Sequence, residues 1–265
     1  MAAEETQNTE ESRMNLNDKV ALVTGAGGGI GRAAAIELAR RGASVAVNYR
    51  RNREGAESTV REIAAQGGRA LAYSGDVTRM ADVQAMIASV EHDFGRLDIL
   101  VNNVGDLIER KALPEFSEEL LRQVLDVNVV STMLCCQAAA PGMIARGGGV
   151  IINMSSLAAH NGGGPGAWAY AAAKAAVIAM TKGLAKELAA KGVRVNCVSP
   201  GLIGATDFHG RFTAPEAFAA AEKTVPLGRA GTPEEVARVI AFLASDDSSY
   251  LVGETIEING GMFMK

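Results

Sequence analysis

The chain reads as an α/β fold, a single domain built on one doubly wound parallel sheet with helices on both faces. Three observations predict it. Short apolar runs alternate with segments of helical spacing along almost the whole sequence, the pattern of strands joined by helical crossovers. The 265 residues are 48% hydrophobic and contain no Pro- or Gly-rich linker, enough for one sizeable core. The loops at 24–31, 76–77, 102–105, 155–156 and 199–206 each follow a strand, at the carboxyl end where such sheets bind ligands.

Residues 1–15 are polar, with Glu4, Glu5, Glu10 and Glu11, and read as a flexible acidic tail ahead of a domain at 16–265. They are too acidic for a transit peptide and lack the apolar core of a signal peptide. The apolar run 19–24 ends in glycines and predicts a buried strand. A helix follows over 30–41, with Ile30, Ala34 and Leu38 on one face. A strand at 44–49, a helix at 54–66 and a strand at 69–74 come next. The helix at 81–94 turns Val83, Met86, Ile87 and Val90 inward, and a strand spans 98–102. A long helical region at 118–146 contains Pro141, where a bend is expected. A strand at 150–154, a long helix at 167–191 and a strand at 193–198 continue the alternation. The helix at 233–245 has Thr232 as N-cap and Glu235 to close a capping box, and a last strand spans 255–258.

Composition narrows the function. The formal charge is −4 and no basic stripe stands out, which argues against nucleic acid. No apolar run approaches the roughly 18 residues that a membrane helix needs. Cys135, Cys136 and Cys197 are odd in number and lack metal-like spacing, so neither a disulfide framework nor a metal site is expected. A reducing, cytoplasmic setting fits.

The chemistry concentrates in 155–174, SSLAAHNGGGPGAWAYAAAK. Tyr170 and Lys174 stand four apart and share a helix face, where an ammonium should lower the phenol from its reference near 10. A phenol tuned toward neutral can give or take a proton at working pH. Ser155 and Ser156 lie one loop upstream, where a hydroxyl could hold a substrate oxygen. Taken alone, a Tyr four before a Lys is common and serines after a strand are ordinary turn residues.

Thr24, Gly25, Gly29, Ile30 and Gly31 belong to a glycine-rich turn between the first strand and the first helix. Such a turn lets the backbone approach a pyrophosphate at a helix N-terminus, although glycines there also serve plain turns. The second strand ends Asn48-Tyr49-Arg50-Arg51, with no carboxylate to bind an adenosine ribose. Arg50 and Arg51 could instead grip a 2′-phosphate, favouring NADP(H) over NAD(H), unless they merely open an exposed helix. Asp76, beside Val77, could accept from an adenine amino group or simply form a turn.

Taken together, Thr24-Gly25-xxx-Gly29-x-Gly31, Asp76-Val77, Asn102-Asn103-Val104-Gly105, Asn128, Ser156, Tyr170-xxx-Lys174 and Pro200-Gly201 resemble a short-chain dehydrogenase/reductase of the compact type, in that family's order. The resemblance implies a Rossmann-like sheet and hydride transfer between a nicotinamide and a carbonyl or secondary alcohol. It implies Tyr170 as acid/base, Lys174 lowering its pKa and binding the nicotinamide ribose, and Ser156 steadying the carbonyl oxygen. It further implies Asn128 positioning a proton-relaying water, Asn103, Val104 and Gly105 lining the cofactor, and Pro200, Gly201 and the Ile203 backbone on the nicotinamide side. A homotetramer built on the two long helices is implied as well.

The chain departs from that pattern in places. Ser156 precedes Tyr170 by fourteen positions, one more than usual, and the extra residue falls in 160–166, HNGGGPG. Val104 replaces the usual alanine, and the threonine expected after Pro200-Gly201 is displaced to Thr206, with Ala205 in its place. The chain resembles 3-oxoacyl-carrier-protein reductases, yet of two basic carrier-facing positions Lys186 remains and the other is Pro141. Asp106–Lys111, the HNGGGPG loop and 206–209 instead resemble relatives that reduce sugar-acid carbonyls, with Arg110, Lys111, His160 and His209 as candidates to meet a carboxylate or hydroxyls. Each is equally readable as a solvated surface residue, and Trp168 as a pocket wall or as packing. A sugar dehydrogenase and a cofactor-binding regulator without turnover are further readings. An epimerase or dehydratase would need a separate substrate domain, for which the chain is too short.

Overall fold

The computed structural model describes residues 15–264, except the side chain of His209. The tail expected at 1–15 therefore lies, but for Asn15, outside the described residues. Strands β1 (Val20–Val23), β2 (Ser44–Tyr49), β3 (Ala70–Ser74), β4 (Ile99–Asn102), β5 (Gly149–Met154), β6 (Val193–Pro200) and β7 (Thr255–Ile258) form one sheet. All its neighbours are parallel, in the order β3-β2-β1-β4-β5-β6-β7. The order reverses between β1 and β4, and the crevice of a doubly wound sheet opens at that switch point.

The central strands are buried on both faces and send alternate side chains into two separate cores, while the edge strand β3 is largely open to solvent. Ala21, Val23, Val45, Val47, Ile99 and Val101 pack on helices α1 (Gly29–Arg40), α2 (Arg53–Ala65) and α10 (Pro233–Ala244). Val20, Leu22, Ala46 and Leu100 face α3 (Met80–Phe94), α5 (Ser131–Ala145) and α7 (Trp168–Leu188), where Val83, Met86, Ile87 and Val90 point inward as expected. The capping box at Thr232 and Glu235 is present.

Two expectations need correction. The long helical region is not broken at Pro141, which sits inside α5. Its irregularity is a π-turn at Asp126–Val130, between α4 (Glu118–Leu125) and α5. Asn128 stabilises that turn by donating to the Val124 carbonyl at 2.8 Å. The run Glu118–Ala145 is also long and apolar enough in composition to cross a bilayer, with 44% of its most apolar window buried against the protein. Three short helices escape periodicity: α6 (Ala158–Asn161), α8 (Asp207–Phe212) and α9 (Pro215–Glu222).

Candidate active site

The loops that leave the carboxyl ends of the strands enclose a cavity of about 770 Å³. Its first wall is the glycine turn after β1. Gly25 and Gly29 adopt φ of 63° and 52°, the left-handed region where a side chain is strained. At Gly31 a Cβ would lie 2.5 Å from both the Gly25 carbonyl and the Asn103 amide, so no other residue lets α1 pack this close. The α1 N-terminus behind the turn has no side-chain cap and no acid in its first turn, which leaves its amides and positive dipole end for an anion.

The turn is held from below. Thr24 Oγ1 accepts from the Asn103 and Val104 amides at 2.9 and 3.1 Å, and the Asn48 side chain accepts from the Gly25 amide at 3.2 Å. The residues expected around the cofactor fall into two groups. Gly25, Gly29, Ile30, Tyr49, Arg50, Arg51, Asn103, Gly105, Tyr170, Lys174, Pro200, Gly201 and Ile203 line the cavity, as does Ser156. Thr24, Gly31, Asn48, Asp76, Val77 and Val104 do not; they sit behind the wall and position it. Asp76 is further from its expected role. Its carboxylate accepts from the Thr78 amide and hydroxyl and pairs with Arg50 at 3.2 Å. Register explains this: β3 runs beside β2 with Ser74 opposite Tyr49, which brings Asp76 within one residue of level with Arg50. A carboxylate therefore does stand near the end of β2, supplied by another strand. Arg51 is exposed on the cavity rim and has no ion pair among the described residues.

The second wall carries the reacting groups. Lys174 is only 2% exposed, and its ammonium donates to the Met154 carbonyl at 2.9 Å. Tyr170 stands one turn earlier on α7 and hydrogen-bonds to Ser156. Ser155 is spent on structure, its hydroxyl donating to the Lys174 carbonyl at 2.8 Å. Asn128 is fully buried; its amide donates to the Asp106 carbonyl at 2.7 Å and its oxygen accepts from the Asp106 amide. It thus pins the backbone beside Lys174. A Cβ on Gly105 would lie 2.5 Å from the Lys174 ammonium and 2.7 Å from the Asn128 oxygen.

The expected electrostatics are reversed in direction. Burial pushes the Tyr170 phenol up to about 12, and the Asp106 carboxylate adds to the rise, while the Ser156 hydrogen bond opposes it. Burial outweighs the lysine: the Lys174 ammonium lies 5.7 Å from the Tyr170 ring centroid but donates to the Met154 carbonyl, and it is itself disfavoured. Burial pulls its pKa down to about 8.

The third wall follows β6. The bridge to Gly231 uses the Leu202 carbonyl and the Gly204 amide, so the Ile203 amide points the other way. Ala205 takes a left-handed φ of 54°, and Thr206 approaches Gly29, consistent with its taking over the displaced threonine position. Helix α8 then covers the site, with the Phe208 ring 5.6 Å from that of Tyr170. Leu107 and Phe208, inside the stretches 106–111 and 206–209 singled out in the sequence, also line the cavity, as do Arg211 and Met262, which had no sequence signal beyond their nearness to motifs. Of the polar candidates beyond the motifs, Arg110 lines it. Lys111 pairs with Glu109 at 3.1 Å, and His160 pairs with Glu257 at 2.9 Å and stacks on Phe263. The His209 side chain lies outside the described residues. Trp168 packs on Phe116, with centroids 4.5 Å apart, and leaves the cavity wall to others.

A glycine cradle at a capless helix start and a phenol–hydroxyl–ammonium group on one cavity define a nicotinamide-dependent oxidoreductase site. Comparison with known proteins agrees. The family model described as enoyl-(acyl carrier protein) reductase matches residues 25–263. The 3-oxoacyl-(acyl-carrier-protein) reductase FabG of Staphylococcus aureus is 42% identical over 246 residues, 93% of this chain and 98% of its own. A structure described as an NAD(P)-dependent gluconate 5-dehydrogenase from Beutenbergia cavernae, with NADP bound at low occupancy, superposes with a TM-score of 0.87. It is 36% identical, covering 94% of this chain and 98% of its own. A 7α-hydroxysteroid dehydrogenase complexed with NADH and 7-oxo glycochenodeoxycholic acid reaches 0.88 at 34% identity, covering 94% and 96%. The chain belongs to the short-chain dehydrogenase/reductase family.

The buried ammonium has a measurable consequence. Unfolded, Lys174 keeps its proton up to about 10.5; folded, it releases it near 8. Below pH 8 both states hold the proton and the cost of burying the charge is fully present. Between these values the unfolded state binds more protons, so stability rises with pH, by on the order of 3 kcal/mol. Denaturant titrations from pH 7 to 10 should show wild-type stability gaining on that of Lys174→Met; a constant difference would contradict the burial argument.

Proposed function

We propose that the protein uses NADPH to reduce the ketone of a 3-oxoacyl thioester; the S. aureus relative is named a 3-oxoacyl-(acyl-carrier-protein) reductase, which supports the substrate class. The observation that carries the reduction reading is that Tyr170, Ser156 and Lys174 open onto the same cavity as the glycine turn. The turn and the α1 amides would hold the diphosphate, Arg51 the 2′-phosphate, and the Ile203 amide the carboxamide. A nicotinamide held there would supply the hydride for the carbonyl carbon. Ser156 donates to the carbonyl oxygen and stabilises the charge that grows there. Tyr170 gives its hydroxyl proton to that oxygen, leaving an alcohol. Asn128 and Gly105 keep the space around the Lys174 ammonium, which favours the phenolate left behind. A second reading, reduction of a keto-sugar acid, draws support from the gluconate 5-dehydrogenase neighbour.

We further infer a homotetramer. Leu125 and Met133 on α4–α5 and Trp168 on α7 are large apolar side chains left exposed on the helices expected to associate. The three cysteines are free thiols, which supports a reducing, cytoplasmic setting.

Three measurements bear on this. Tyr170→Phe should lower turnover by roughly 10³-fold while NADPH affinity stays within about twofold; near-normal turnover would discard the mechanism. Arg51→Gln should raise the KM for NADPH about tenfold and leave that for NADH unchanged, and a wild-type preference for NADH would sink the 2′-phosphate assignment. Light scattering should return four times the 27.5 kDa chain mass; a monomer would refute the assembly.

A further inference from the structure

The cavity holds a cation that nucleotide recognition does not use. Arg110 leaves the loop after β4 and lines the substrate end. Its Nε donates to the Phe212 carbonyl at 2.9 Å and its Nη1 to the Pro165 carbonyl at 2.9 Å. Two of its five N–H groups are thus spent on the main chains of α8 and the HNGGGPG loop, which fixes the guanidinium where three segments meet. No carboxylate among the described residues pairs with it. Asp106, whose charge bears on the reacting phenol, is already matched by Arg211 at 2.9 Å. Between Tyr170 and these arginines runs an aromatic wall, with Phe208 5.6 Å from Tyr170 and Phe212 5.2 Å from Phe208. The Arg211 guanidinium lies 4.6 Å over the Phe212 ring.

Outward from the phenol, the order is proton donor, apolar surface, then a fixed cation without a counter-charge. A ligand complementary to it carries a carbonyl, a short apolar stretch and an anion. We infer that Arg110 anchors an anionic group of the substrate, a carboxylate or a phosphate, at a distance from the carbonyl that is reduced. The inference rests on the reduction reading and narrows its substrate class. Such an anion has two sources: the carboxylate of a keto acid, or the phosphates of a carrier that presents an acyl thioester. Hydrogen bonds to an ionised group are the strong ones, so losing the guanidinium should weaken binding about tenfold or more.

The test compares matched pairs under NADPH: acetoacetate with its methyl ester, and acetoacetyl-coenzyme A with the acetoacetyl thioester of N-acetylcysteamine. Wild type should prefer the charged member of one pair, and the pair that responds identifies carboxylate or phosphate. Arg110→Gln should raise the KM of that member at least tenfold, leave kcat within about threefold, and leave the neutral partner unchanged. Arg110→Lys should recover part of the loss. Equal effects on charged and neutral members, or no preference in wild type, would overturn the anchor while leaving the reduction reading intact. Calorimetric titration with 3-hydroxybutyrate, 3-hydroxybutyryl-coenzyme A and their uncharged counterparts separates the other failure. A charged alcohol bound by wild type but not by Arg110→Gln, with no ketone reduced, would keep the anchor and discard the reduction reading. If no ketone is reduced and no charged alcohol binds, both fall.

Discussion

A positive charge kept out of water organises this molecule. Among the described residues the buried Lys174 ammonium has one carbonyl for a partner and no carboxylate, a state that burial alone disfavours. Neighbouring residues are arranged around it. Gly105 must lack a side chain because any Cβ would strike the ammonium. Asn128, in the π-turn, clamps the adjoining backbone, and the Ser155 hydroxyl ties α7 to the end of β5. Ser156 and Tyr170 face the cavity because their neighbours in sequence are committed to that scaffold.

The parallel sheet converts this local arrangement into a two-ligand site. Every loop of interest leaves a strand at its carboxyl end, and the switch between β1 and β4 opens the crevice for the nucleotide. The side chains there divide into two populations. Thr24, Asn48 and Asp76 bond to the backbone or to neighbouring side chains and hold the loops. Arg51, Asn103, Tyr170 and the Ile203 amide meet the space those loops enclose. Binding both reactants against one rigid frame supplies the proximity that hydride transfer needs.

Much of this was legible in the sequence. Strands buried on both faces are continuous apolar runs, and the helices show either a 3.6-residue period or, as in α5 and α7, a long apolar stretch, so all seven strands and the long helices could be read directly. The reacting residues were readable because local spacing places them, four apart on a helix or at a strand end. What stayed hidden depends on contacts distant in sequence. The Arg50–Asp76 pair follows from parallel register, and the Arg211–Asp106 pair spans over a hundred residues. Helices α8 and α9 are too short for a period to show. Spacing also misjudged the phenol, because it sees the lysine four residues away but not the burial or the Asp106 carboxylate that act against it.

The protein alone does not make Tyr170 a near-neutral acid, since burial outweighs its cationic neighbour. Ultraviolet difference absorbance between wild type and Tyr170→Phe, followed as pH rises with no nucleotide added, reads that ionisation directly. The account predicts no tyrosinate from this residue through pH 10, with ionisation only toward about 12. A titration centred near neutral pH would contradict it and restore Lys174 as sufficient to activate the phenol.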